Sequence, residues 1–467
     1  LVQLPTTAAR VTLSTLQRFD RPGPRYTSYP TAVEFSAAVG ESAYRRALAD
    51  ADRLEPRAPL AAYVHLPFCR ERCHFCACNV VATPHAAVAA RYLDYLEREI
   101  TAVAAQLPHR RKLAQLHWGG GTPTYFLPEQ LEALFRHITR YFELQDGAEI
   151  AIEVDPRVTT LEHLETLARL GFNRLSVGVQ DFTPAVQGAI GRGQTFQQTA
   201  GLLNSARALG FTEGINFDLI YGLPRQGPAS FRANLDQALE LAPDRLALYS
   251  FAFVPRIKPN QRRLAADELP APALKLELYL DALERLDRAG YVQIGMDHFA
   301  VPNDELATAG SQQRLQRSFM GYTVKRAEAL IGIGVSAIGD LANGYFQNCK
   351  KLSTYYRALD EGRLPVERGR LLDTDDRLRR EVIMQLMCRF QVDKQEIAGR
   401  YRIDFDGYFA DSIGRLAELE EAGLLRNDSS AIALSERGRL FVRNAAMAFD
   451  RYRAPAAEAA AAFSRTV

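Results

Sequence analysis

The spacing of hydrophobic positions changes several times along the chain. Before residue 60 turn-forming residues dominate: Gly23, Pro24, Ser28 and Pro30 fall within eight positions, and only 41–52 keeps a helical repeat. From 61 onward, short apolar and β-branched runs alternate with longer amphipathic ones. The pattern predicts strands at 61–67, 115–118, 149–154, 174–179, 215–221 and 245–251. It predicts helices between them at 89–106, 128–142, 161–170, 195–209 and 228–241. Strand–helix units of this length need crossover connections, so the strands are expected to be parallel. Six units fall short of a closed eight-stranded barrel. The expected fold is therefore α/β, a partial (β/α)6 TIM-like barrel. Several predicted strands run into polar or Gly-rich clusters at 119–122, 155–156, 180–181 and 222–224. Those are the C-terminal strand ends, where a barrel gathers its active site.

After residue 252 the texture shifts. A helix is expected at 273–289, a strand at 292–296 and a Gly-rich apolar segment at 331–339. Residues 373–452 read as a compact helical unit with a short strand pair near its end, the order of a winged helix. The Ala-rich stretch 454–462 is expected to be a frayed tail. The division predicted is an irregular covering lead-in (1–60), a catalytic barrel with its extension (61–350) and a mainly helical, winged-helix-like C-terminal domain (351–467). No repeat at solenoid spacing is present.

Charge narrows the function classes. Lys and Arg number 57 against 55 Asp and Glu, a formal net charge of +2, and no concentrated basic face marks the winged-helix-like region. Nucleic acid is not an expected partner. No run is long and apolar enough to span a membrane, and the first residues lack the apolar core of a secretory signal, so a cytoplasmic protein is expected.

Six cysteines are too few for a disulfide scaffold, yet four fall within ten residues, at 69, 73, 76 and 78. Cys69, Cys73 and Cys76 have the spacing C-x3-C-x2-C on a loop just after the first predicted strand. Three thiolates on one short loop can each hold one iron of a cubane 4Fe-4S cluster and leave the fourth iron open to the amine and carboxylate of a small molecule. Zinc is the competing reading, with Cys78, His74 or His65 completing a tetrahedral set. A two-cluster ferredoxin would need a second cysteine set, which the sequence lacks. Cys78 is awkward as a fourth cluster ligand, because the C-x-C spacing places it too close to Cys76.

Other residues have both a chemical and a plain reading. Gly119–Gly121 let the backbone approach a ligand closely, or form an ordinary tight turn. Tyr63 and Phe75 flank the cysteines and can pack on a ligand ring or belong to the core. His65 shares a strand face with Tyr63 and can donate a hydrogen bond or a proton, or be a satisfied core histidine. Glu153, Gln180 and Asp218 lie at or near three different strand ends and can bind hydroxyls and amines, or cap the next helix. Arg192 can grip a carboxylate by two parallel hydrogen bonds, or lie on the surface.

The cysteine spacing matches the radical S-adenosylmethionine superfamily. An ordered set of further segments narrows the match: residues 23–31, Gly119-Gly120-Gly121-Thr122-Pro123, Glu153-Val154-Asp155-Pro156-Arg157, Gly178-Val179-Gln180-Asp181-Phe182, Asp218-Leu219-Ile220-Tyr221-Gly222, Gly295-Met296-Asp297-His298-Phe299 and Gly321-Tyr322-Thr323. Together these resemble the oxygen-independent coproporphyrinogen III oxidases, over nearly the whole chain. Small departures exist, such as Ala77 and the Gly191-Arg192-Gly193 segment, and neither removes a reactive group.

The resemblance implies a 4Fe-4S cluster on Cys69, Cys73 and Cys76, and two molecules of S-adenosylmethionine. It places Tyr63 and Phe75 at the cofactors. It places Gly120, Gly121 and Thr122 on S-adenosylmethionine, Glu153 and Ile338 at the cluster-bound molecule, and Gln180, Arg192, Asp218 and Ala252 at the second. It implies oxidative decarboxylation of two propionates of coproporphyrinogen III to vinyl groups, through a 5′-deoxyadenosyl radical. A low-potential electron donor, an electron acceptor and a monomeric state are expected with it. No catalytic residue beyond His65 is singled out. Arg25, Arg256 and Lys258 are candidates, by charge alone, for the substrate carboxylates. A haem chaperone of the same superfamily, or another tetrapyrrole-modifying radical enzyme, is the alternative function.

Overall fold

The computed structural model describes residues 11–453 and 463–466, except 213, 326 and 342. Six parallel strands carry the fold: β1 (Leu60–Leu66), β2 (Lys112–Gly120), β3 (Glu143–Val154), β4 (Arg174–Gln180), β5 (Ile215–Tyr221) and β6 (Arg245–Ser250). An antiparallel pair follows, β7 (Val292–Gly295) and β8 (His298–Ala300), then a hairpin of β9 (Gln316–Ser318) and β10 (Gly321–Thr323). The chain returns through β11 (Ala329–Ile333), which pairs parallel to β1. It continues antiparallel through β12 (Ile338–Leu341), β13 (Gly344–Asn348) and β14 (Val366–Leu371). The strand order is β14-β13-β12-β11-β1-β2-β3-β4-β5-β6-β8-β7. This is a (β/α)6 partial barrel widened at both edges.

Period-two alternation decides which side chains enter the barrel. On β4, Leu175, Val177 and Val179 are buried under the helices, while Arg174, Ser176 and Gly178 alternate with them on the inner face. On β3, Ile150, Ile152 and Val154 pack outward, and Glu149, Ala151 and Glu153 look inward. Asn216 and Asp218 do the same on β5, and Tyr63 and His65 on β1. The outer apolar set joins the crossover helices in one continuous core that includes Trp118, Leu131, Leu164, Leu203 and Leu235. One strand set thus supplies an apolar outside for folding and a polar inside for chemistry.

The predicted strand at 215–221 coincides with β5; β1, β4 and β6 lie within one residue of expectation at each end, while β2 and β3 begin well before the predicted 115 and 149. The pattern missed the short helix Pro184–Ile190 and the antiparallel extension β12–β14. The sheet runs to Leu371, beyond the boundary expected at 350, because β14 pairs with β13. The helical unit begins at Thr374, with Asp373 capping its first helix. It carries a three-stranded sheet of Gln391–Asp393, Ala431–Leu434 and Leu425–Asn427. The frayed tail expected at 454–462 lies outside the described residues.

The lead-in is held between barrel and C-terminal domain. Buried Arg443 donates to the Pro24 carbonyl at 2.9 Å, and the Tyr26 hydroxyl donates to Asp450 Oδ2 at 2.9 Å. Arg25 crosses to Asp297, in the turn between β7 and β8, at 2.5 Å.

Candidate functional site

The cysteine loop leaves β1 and folds back on the glycine turn that ends β2. The Gly121 N–H donates to the Leu66 carbonyl at 2.9 Å and the Thr122 N–H to the Phe68 carbonyl at 2.8 Å. The three glycines exist because no Cβ fits. A Cβ on Gly119 would lie 2.5 Å from Glu153 Oε1, and one on Gly121 would lie 2.6 Å from the Pro67 carbonyl carbon. One on Gly120 would lie 2.4 Å from the His65 ring, at a φ of +114° that L-residues rarely adopt. The turn therefore brings Glu153, His65 and the loop backbone into direct contact.

Cys73 is buried, Cys69 and Cys76 are half-buried and Cys78 is exposed. The Thr122 hydroxyl lies 3.5 Å from Cys69 Sγ. Cys73 Sγ is approached by Arg157 at 3.8 Å and Arg192 at 3.9 Å. Both arginines also hold Asp155, at 2.7 and 3.1 Å. Among the described residues no three His, Cys, Asp or Glu side chains gather around a single point. Three thiols spread along one loop, with two guanidiniums against one of them, fit a group with separate metal corners and net negative charge. Thiolates are the ligands such a cluster takes, and metal binding deprotonates thiols outright. The donor set fits a 4Fe-4S cluster.

Beside the loop, Tyr63 and His65 form a relay. His65 Nε2 lies 3.0 Å from the Asn79 carbonyl, which can only accept, so Nε2 carries the proton. Burial lowers the His65 pKa, which keeps the ring neutral. Nδ1 therefore accepts from the Tyr63 hydroxyl at 3.0 Å. His65 is a fully satisfied histidine that orients Tyr63, with both nitrogens in use. The Tyr63 ring stacks on His117, with centroids 5.9 Å apart.

Glu153 accepts from the Gly120 N–H at 2.9 Å and lies 3.5 Å from His117 Nε2. Burial pushes its carboxyl up, but His117 and the Gly120 N–H outweigh burial, so it sits below its ordinary value and is ionised. Asp218 behaves oppositely. Burial, reinforced by the Glu153 charge, pushes it up to about 7, although Asn216 and Ser176 donate to it at 2.9 and 3.3 Å. The two carboxylates thus line one cavity but shift in opposite directions, Glu153 held below its ordinary value and Asp218 above it.

A cavity of about 540 Å³ opens inside the barrel. Tyr63, His65, Cys78, Gly120, Glu153, Asp218 and Ile338 lie on its wall. Phe75, Gln180, Arg192 and Ala252 do not, and Cys69, Cys73, Cys76, Gly121 and Thr122 stand behind that wall rather than on it. Phe75 packs in a separate apolar cluster with Val186, Ile190, Leu223 and Phe251. Gln180 adopts a φ of +68° where the β4–β5 register shifts. The Ala252 carbonyl accepts from Gln261. Arg192 is neither on the surface nor free to fork onto a ligand. It is buried, with Asp155, the Gly178 carbonyl and Gln194 already occupying its donors.

The charge-based candidates for substrate carboxylates also change. Arg25 lines the cavity but is paired with Asp297, and neither Arg256 nor Lys258 lines it. Arg174 and Arg245 line it too, and are paired with Glu149 and Asp304. Arg317, on the β9–β10 hairpin, has no acidic partner among the described residues. Its Nη2 donates to the Arg25 carbonyl at 3.2 Å, its guanidinium lies 4.6 Å from the Tyr322 ring centroid, and its Nε and Nη1 are buried without a partner. Sequence reasoning passed over Arg317 and His117. His117 was accessible to it, because His117 and Gly119 share a face of β2 with Glu153 beside them.

Comparison with known proteins agrees with this architecture. The radical SAM superfamily model matches residues 63–238 and the HemN C-terminal domain model matches 372–441. The oxygen-independent coproporphyrinogen III oxidase of Escherichia coli K12 is 44% identical over 440 residues, 94% of this chain and 95% of that protein. Its counterpart from Helicobacter pylori J99 is 44% identical over 436 residues, 93% of this chain and 95% of that protein. The Synechocystis protein of the same name is 41% identical over 94% of both chains. The solved structure of Escherichia coli coproporphyrinogen III oxidase, described as a radical SAM enzyme, superposes with a TM-score of 0.88 at 44% identity. The match covers 92% of this chain and 98% of that one. The glycine cradle and the cysteine loop lie within the first family match and most of the helical domain within the second, and the chain belongs to the oxygen-independent coproporphyrinogen III oxidase family of radical SAM enzymes.

Proposed function

We propose that this chain decarboxylates two propionate side chains of coproporphyrinogen III to vinyl groups without oxygen, giving protoporphyrinogen IX for haem synthesis. The observation that carries the reading is the cavity that reaches from Gly120 and the end of the cysteine loop, at Cys78 and Asn79, to the Arg317 guanidinium. When bound, a 4Fe-4S cluster and S-adenosylmethionine supply the carbon radical that takes a hydrogen from the propionate β-carbon, after which carbon dioxide and one electron leave.

The protein's own residues hold and orient. Cys69, Cys73 and Cys76 would hold the cluster, with Arg157 and Arg192 offsetting its charge at Cys73. The glycine turn and Thr122 leave room for the cofactor backbone. Ionised Glu153 accepts from an amine or hydroxyl group, with Tyr63 held alongside by His65. Ile338 covers the same wall. Asp218, on the cavity wall, is assigned to a second S-adenosylmethionine, with Phe75, Gln180 and Ala252 outside that wall; Arg192, whose donors are taken by Asp155 and the Gly178 carbonyl, acts at Cys73 instead. Arg317 meets a propionate carboxylate, since a buried guanidinium with unpaired donors gains most from an anion. The lead-in closes one wall through Arg25 and Thr27. Holding the reacting carbon at contact distance and keeping water out are the contributions the cavity makes.

The test is anaerobic. The reconstituted protein, given S-adenosylmethionine, a reductant and coproporphyrinogen III, is expected to yield protoporphyrin after oxidation, and Cys73→Ser to lose cluster and product together. No product, with haem retained on the purified protein, would replace this reading with the chaperone.

A further inference from the structure

The outer face of the cysteine loop carries a surface that the catalytic cavity does not use. The segment Pro259–Arg263 is a short 3-10 helix packed on the loop. Asn260 Nδ2 lies 3.3, 2.9 and 3.0 Å from the carbonyls of Cys73, His74 and Cys76, and Gln261 Nε2 donates to the Phe75 carbonyl at 3.0 Å. Residues 70–72 and 256–263 therefore form one surface. They hold six cations against one acid, Glu71, in a chain whose whole net charge is +2. Arg70, Arg256, Arg262 and Arg263 are exposed and make no ion pair among the described residues. Ile257, 57% exposed, stands among them. None of residues 256–263 lines the 540 Å³ cavity.

We propose that this surface docks an acidic protein that carries one electron at low potential. The proposal rests on the cluster reading above. Each reductive cleavage of S-adenosylmethionine consumes one electron, and the inner side of the loop faces cofactor and substrate. The electron must enter from outside, and the loop whose carbonyls Asn260 and Gln261 hold joins this surface directly to Cys73 and Cys76. The carrier's reduced flavin or iron–sulfur centre loses one electron, the cluster gains it, and no proton or bond moves. Unpaired cations around an exposed aliphatic side chain have the form of a transient interface: complementary charge speeds encounter and orients the partner, and a small apolar centre excludes water. Such an interface is weak and salt-sensitive, as a carrier that must leave after each electron requires.

The test uses a triple variant, Arg256→Glu, Arg262→Glu and Arg263→Glu, which leaves Asn260, Gln261 and the cavity untouched, with an acidic flavodoxin as the probe. Calorimetry on the protein as prepared should show flavodoxin binding that weakens with salt and falls at least tenfold in the variant. Stopped-flow bleaching of the reconstituted cluster by reduced flavodoxin should slow by a similar factor, while bleaching by dithionite stays unchanged. Equal binding and equal flavodoxin rates in the two proteins would overturn the proposal. So would an unchanged flavodoxin rate with a raised KM for coproporphyrinogen III under dithionite, which would assign the patch to substrate carboxylates. The binding arm needs neither cluster nor porphyrinogen turnover, so it fails separately from the proposed function.

Discussion

Asp218→Asn gives the most direct check on the site's electrostatics. Asp218 sits inside the barrel with Glu153 as a like-charged neighbour, and its carboxyl is raised from an ordinary 3.8 to about 7. Between those values the folded chain keeps a proton that the unfolded chain releases. Wild-type stability therefore falls as pH rises through that window, and the whole penalty is present above neutral pH. One pKa unit is worth about 1.4 kcal/mol, so the fully realised penalty is about 4 kcal/mol. The carboxylate opens on the cavity, where water screens it, and about 2 kcal/mol is the expected effect. Asparagine keeps the shape and carries no charge. Its amide oxygen can accept from Asn216 and its amide nitrogen can donate to the Ser176 hydroxyl, which rotates to suit. Urea unfolding of the cluster-free protein, followed by circular dichroism, measures the difference. The variant should be about 2 kcal/mol more stable than wild type at pH 8, and nearly equal to it at pH 4. The same difference at both pH values, or a loss at pH 8, would refute the claim that Asp218 is held protonated by burial and Glu153.

Two further outcomes follow from contacts already described. Gly121→Ala places a methyl against the Pro67 and Phe68 backbone rather than against a movable side chain; the cysteine loop should shift, with iron and sulfide content after reconstitution falling well below wild type while the far-ultraviolet circular dichroism spectrum is kept. Asp297 is held well below the usual carboxylate range, where burial is outweighed by Arg25 and His298. Asp297→Asn should leave Arg25 without its partner and cost about 2 kcal/mol, discounted because Arg25 is one-third exposed. A urea midpoint equal to wild type would show that the lead-in does not depend on this pair.

The alternation of apolar and polar positions determined the barrel by itself. Each inner strand face could be read once the strand was placed, because the period of two leaves no choice: Glu149, Ala151 and Glu153 must share a side if Ile150, Ile152 and Val154 are buried. The cysteine spacing and the glycine triplet were equally local, since both depend on chain geometry within a few residues. The antiparallel edge from β12 to β14 was not legible, because its strands are short and their partners are set by pairing far along the chain. The roles of Arg192 and Arg317 were decided only by the tertiary structure. Both are arginines next to small or polar residues, and nothing in their neighbourhoods separates them. Folding puts Asp155 and the Gly178 carbonyl on the first and leaves two donors of the second unpaired. A side chain's charge is written in the sequence, but whether that charge is spent inside the protein or kept for a ligand depends on which distant groups arrive beside it.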